Sequence, residues 1–134
     1  MRRALGVLVG IVVAMVTITI VEMIGHASAP PSAGADMRNP SLLAQTMPPI
    51  PLRTALAVTL GWFLGSLAGA LAGIAVSRWA AAAWIVAAVV IAGAIWSYTV
   101  IAHPLWMQAA GVILPLIAVW IALRLRPPAT NRST

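Results

Sequence analysis

The chain has 134 residues, 62% of them hydrophobic and 7% charged. Soluble domains carry about a quarter charged residues, so this composition excludes an ordinary water-soluble domain and points to one compact membrane unit. The net charge of +6 comes from eight basic residues, all arginine, against two acidic ones, and the absence of cysteine excludes disulfides, thiolate metal sites and a cysteine nucleophile.

The first apolar run is Ala4 to Ile24, behind Arg2 and Arg3. The second is Leu52 to Val76, the third Trp79 to Ile101 and the fourth Pro104 to Leu123. A span needs ~20 residues to cross ~30 Å of hydrocarbon, and all four runs reach that length. Backbone amides in lipid must bond within their own segment, so the runs are expected as helices. Alternating ten-residue strands of the kind that build a barrel are absent. The fold class is therefore all-α: a four-transmembrane-helix bundle in a single membrane domain, residues 1–134.

The first run has a second reading as a secretory leader, with Ala27-Ser28-Ala29 as a cleavage site. A leader core usually holds ~7–15 apolar residues. This run is longer, and Pro30 would directly follow the cut, so an uncleaved span is expected. Between the first two runs, residues 27–51 form a long outer loop with Pro30, Pro31, Pro40, Pro48, Pro49 and Pro51. Within it Asn39-Pro40 reads as a cap and first turn, opening a short surface helix over residues 41–46. The inner turn at Ser77-Arg78 and the outer one at Ala102-His103 are very short. They predict antiparallel hairpins, with Pro104 as the first residue of helix four. The tail, residues 127–134, is polar.

Arginine placement predicts orientation. With the N-terminus inside, Arg2, Arg3, Arg78, Arg124, Arg126 and Arg132 are cytoplasmic, and only Arg38 and Arg53 lie outside. Both chain ends then face the cytoplasm. Trp79 and Trp120 fall near the inner interface; Trp96, Tyr98 and Trp106 fall near the outer one. Arginines serving as topology signals give no reason to expect a nucleic-acid partner.

Helix two carries the strongest pattern. Ala57, Gly61, Gly65, Gly69, Gly73 and Ser77 recur every four residues, placing a ridge of small residues on one helix side where another helix can approach to backbone contact. The ridge suits packing within the chain, against helix one (which offers Gly6, Gly10 and Ala14) or helix three. It also suits a homo-oligomer or a membrane-protein partner. In helix four, Pro115 frees the carbonyl of Gly111, and Gln108 is placed to bond across to helix three. Trp62 lies deep in helix two, where packing accounts for it.

The polar candidates gather toward the outer side. Glu22 is the only carboxylate within a membrane-length apolar run, where charge is costly without a partner or a task. His26 lies four residues on, on the same face. His103 sits at a similar depth, and Asp36 and Arg38 lie in the outer loop. Three readings stay open for Glu22, His26, His103 and Asp36. One is structural: Glu22 pairs with His26, Arg38 or Arg53 and holds the loop on the bundle. Another is a metal site, because two imidazoles and a carboxylate suit zinc or a similar divalent ion. The third is a proton or substrate relay. A divalent metal is the one cofactor this pattern admits. Nucleotide-binding and hydrolase motifs are absent, and the serines and threonines have no base beside them, so no enzyme is expected.

The landmarks Glu22-Met-Ile-Gly-His26, Pro30-Pro31, Asp36, Pro51 and His103-Pro104-Leu105-Trp106 resemble those of a group of small four-helix bacterial membrane proteins. The resemblance implies four spans and a bacterial inner-membrane location. It implies no activity. The expected function is a small non-catalytic interaction or accessory protein of the inner membrane, with a transporter or metal-handling protein as the alternative.

Overall fold

The computed structural model describes residues 1–27, 51–101 and 103–126. They form four α-helices: α1 Arg2–Ala27, α2 Leu52–Ser77, α3 Ala81–Val100 and α4 Leu105–Arg124. Each is long and apolar enough to cross a membrane. Residues 28–50 lie outside the described residues, and with them most of the proline-rich outer loop and its expected helix over 41–46. The polar tail, residues 127–134, lies outside them as well.

Prolines set two of the boundaries. Pro51 and Pro104 directly precede the first residues of α2 and α4. The first N–H groups of a helix have no acceptor within it, so a residue without an N–H loses nothing there. Helix four thus begins one residue later than expected, with Pro104 as its cap. Helix three begins at Ala81 and not at Trp79. The turn needs the extra residues, because Arg78 adopts a left-handed conformation (φ 55°) and its N–H closes α2 on the Ile74 carbonyl at 2.7 Å. Ser77 locks the corner: its hydroxyl donates to the Gly73 carbonyl at 2.6 Å and accepts from the Trp79 N–H at 3.1 Å.

α2 is the central helix and touches the other three; α3 also touches α1 and α4. One side of α2 is the glycine ridge, which α1 covers in antiparallel fashion. Gly6 packs on Ser77 at one end of the seam and Gly25 packs on Ala57 at the other. Between them the backbones meet. A Cβ placed on Gly10 would lie 2.8 Å from the Gly69 carbonyl oxygen, and one on Gly65 would lie 2.9 Å from that of Ala14. Such separations leave no room for a side chain. In lipid, which offers no hydrophobic drive between helices, close dispersion contact would be what holds this pair. The same contact offsets the poor helix propensity of glycine, about 1 kcal/mol each relative to alanine.

The next ridge of α2, Trp62, Ser66, Ala70 and Ile74, is buried on another side. Two apolar clusters fill this region. Trp62 joins Ala14, Val86, Val90, Ala94 and Met107; Ala70 and Ile74 join Ala83, Ala87, Val119 and Ala122. α2 and α4 run parallel here, with Trp62 beside Gly111. Large apolar side chains such as Leu8, Val12, Ile20, Trp96, Ile113 and Trp120 point outward and are more than half exposed. For a chain whose helices suit a bilayer, this is the surface that acyl chains would cover.

Candidate functional site

The bundle has two chemically different ends. Glu22, His26, Arg53 and His103 lie toward one; Arg2, Arg3, Arg78, Arg124 and Arg126 lie toward the other. Glu22 is partly exposed on the last turns of α1, one turn beyond Ile18, which packs on the Trp62 cluster. His26 is exposed. Its Nδ1 donates to the main-chain carbonyl of Glu22 at 2.8 Å. That bond fixes the ring against its own helix and is separate from the Glu22 carboxylate.

His103 is built into a different group of side chains. Its ring meets that of Tyr98 edge-on at 5.2 Å and lies 6.3 Å from that of Trp62, while Trp62 and Tyr98 are themselves 6.0 Å apart. Two helices, α2 and α3, and the turn before α4 therefore contribute to one aromatic cluster at this end. Polar bonds tie it down. His103 Nδ1 bonds the Ile101 carbonyl at 2.7 Å, and Gln108 Nε2 donates to the His103 carbonyl at 2.8 Å. The Tyr98 hydroxyl donates to the Gln108 main-chain carbonyl at 3.1 Å. Gln108 was expected to bond across to helix three through its side chain. That side chain turns back to the connecting turn instead, and the link to α3 runs from Tyr98 to the Gln108 main chain. Gly111 makes this possible, since a Cβ there would collide with the Tyr98 hydroxyl and lie 2.8 Å from the Trp62 ring.

Among the described residues, no group of three or more His, Cys, Asp or Glu side chains is placed to hold a metal ion. Glu22, His26 and His103 thus do not form a ligand set by themselves, and Asp36 lies outside the described residues. His103 packs on Trp62 and Tyr98, a constellation that residue spacing did not point to. Depth along each helix was legible in the sequence. The rotation of each helix about its axis, which decides what His103 faces, was not.

Two hydroxyls, Thr54 Oγ1 and Ser66 Oγ, are buried without a hydrogen-bond partner in the protein. Ser66 lies one turn beyond Trp62, and Pro115 one turn beyond Gly111, so the two are level on neighbouring helices. Gly61, Gly65, Gly69 and Gly73 lie on the ridge that α1 covers; all four are buried. An oligomer built through that ridge would first have to displace α1. Comparisons with protein-family models, with curated proteins and with solved structures found no match to this chain.

Proposed function

We propose that this chain is a non-catalytic interaction or accessory protein of a bacterial inner membrane, with both termini in the cytoplasm. The observation that carries this reading is the filled half of the bundle below the aromatic cluster. Ala70, Ala82, Ala83, Ala87, Ala118, Val119 and Ala122 are at most 1% exposed. The ionisable side chains of the described helices sit at their two ends. A route for an ion or solute would need polar groups along it, and here small apolar side chains close the half of the bundle between Ser66 and the arginine end. The chemistry is left at the rims, where a partner reaches it.

Two substitutions separate this role from transport or metal handling. Gly69→Leu forces the α1–α2 seam apart, because a side chain at that position meets the Gly10 carbonyl and the Ala14 Cβ. It is expected to lower abundance in the membrane and abolish recovery of cross-linked partners. Glu22→Gln is expected to leave both near wild type. The opposite pattern, full abundance and lost function in Glu22→Gln, contradicts the accessory role. So does stoichiometric uptake of a divalent metal by the purified protein.

A further inference from the structure

We propose that the arginine end is a docking surface for anionic phospholipid, with a phosphate held between Arg2, Arg78 and Arg126 and an acyl chain laid along α1. This inference is independent of the accessory role.

Side-chain contacts bring the arginines to one end of the bundle. Arg2 Nε donates to the Val76 carbonyl at 3.1 Å, and Arg126 Nη2 to the Arg78 carbonyl at 3.4 Å. The Arg3 guanidinium lies 5.4 Å from the centre of the Trp79 ring, and that of Arg124 4.9 Å from Trp120. Arg2 and Arg126 thus grip two carbonyls of one corner, the end of α2, where Arg78 also stands. Arg2, Arg3, Arg78 and Arg126 are all exposed.

No side chain of the described residues balances this charge. The chain has two acidic residues. Glu22 is near the opposite end of α1, and Asp36 lies outside the described residues. Like charges collected at one end of the bundle repel unless an anion joins them. Guanidinium forks match phosphate oxygens in paired hydrogen bonds.

Arg78 supplies a second, separate indication. It is the only non-glycine residue with positive φ among those described. A helix ending in this conformation favours glycine at that position, because a Cβ is disfavoured there. An arginine in that place keeps a strained backbone and gains an exposed guanidinium at the corner whose carbonyls Arg2 and Arg126 bond.

The surface beside it fits the rest of the lipid. Met1, Arg2, Ala4, Leu5 and Leu8 form one exposed strip at the start of α1. It starts at a cation and continues along apolar side chains, the order of groups in a phospholipid. Basic sites between helices at the cytoplasmic side of membranes bind anionic headgroups by the same logic.

The test uses the full chain in nanodiscs of phosphatidylcholine alone or with phosphatidylglycerol, read by its thermal unfolding midpoint and by lipid adducts in native mass spectrometry. Phosphatidylglycerol is expected to raise the midpoint by several degrees and to remain bound. Arg2→Gln and Arg126→Gln should each lose at least half of that rise, and Arg53→Gln, at the other end, should keep it. Arg78→Gly gives effects of opposite sign: a higher midpoint in phosphatidylcholine, from relief of backbone strain, and a smaller gain from phosphatidylglycerol. General damage to the fold does not produce that pair of results. Equal midpoints in the two lipids, or a gain unchanged in Arg2→Gln and Arg126→Gln, overturns the proposal. Reproduction of the whole effect by inorganic phosphate also overturns it, because the site would then take a free anion.

Discussion

Gly111 shows how much one missing side chain decides. The Tyr98 hydroxyl occupies the space where its Cβ would stand, and from there it reaches the Gln108 carbonyl. Gly111→Ala should therefore push Tyr98 off this bond and crowd Trp62. Overpacking and a lost hydrogen bond together are expected to cost about 1–3 kcal/mol. Tyr98→Phe removes the colliding atom, so the double variant should be more stable than the sum of the two single changes implies. A double-mutant cycle of unfolding in detergent measures this coupling; additive effects would contradict the packing described. His103 gives the matching lesson about legibility. Its place near the outer turn was readable from residue number. Its neighbours were not, because Trp62 is forty-one positions earlier, and only the packing of α2 beside α3 and α4 brings the two rings together.

The four helices were readable as elements because a backbone suited to crossing lipid has little choice. Apolar runs of spanning length become helices, and prolines and polar turns mark their ends. What the sequence hid was the corner after α2. Arg78 carries no glycine-like signal for a left-handed residue, so the expected start of helix three fell at Trp79, two residues early. Ser77 stabilises this corner by accepting from the Trp79 N–H. Ser77→Ala keeps the Cβ that packs on Gly6 and removes only the hydroxyl. It should cost about 1 kcal/mol, the usual net contribution of one hydrogen bond. Equilibrium unfolding in mixed micelles measures it, and an unchanged stability would mean that the hydroxyl does not hold the turn. The glycine ridge of α2 was equally plain in the sequence. That α1 of the same chain covers most of it, with Val86 and Ala82 of α3 reaching Gly69 and Gly73, required the structure. The partial match in Gly6, Gly10 and Ala14 was the signal that pointed there.

In the whole molecule, α1 is the helix with most to reveal. It is held to α2 by backbone contact along the seam, and among the described residues it does not touch α4. Removing α1 would uncover most of the glycine ridge, so its retention matters to everything built on the bundle. The arginines at one end and the Glu22–His103 end opposite give the molecule a polarity that the bilayer can read. That polarity, with α1 spanning as a permanent member, is the central claim. Its most direct measurement is labelling of single cysteines by a membrane-impermeant maleimide in intact cells, aided by the absence of any native cysteine. A cysteine inserted after Met1 and Thr134→Cys should react only once the inner membrane is opened, while Ser32→Cys should react beforehand. Reaction of the two terminal cysteines from opposite sides, or loss of the N-terminal label from the mature protein by cleavage, would contradict it.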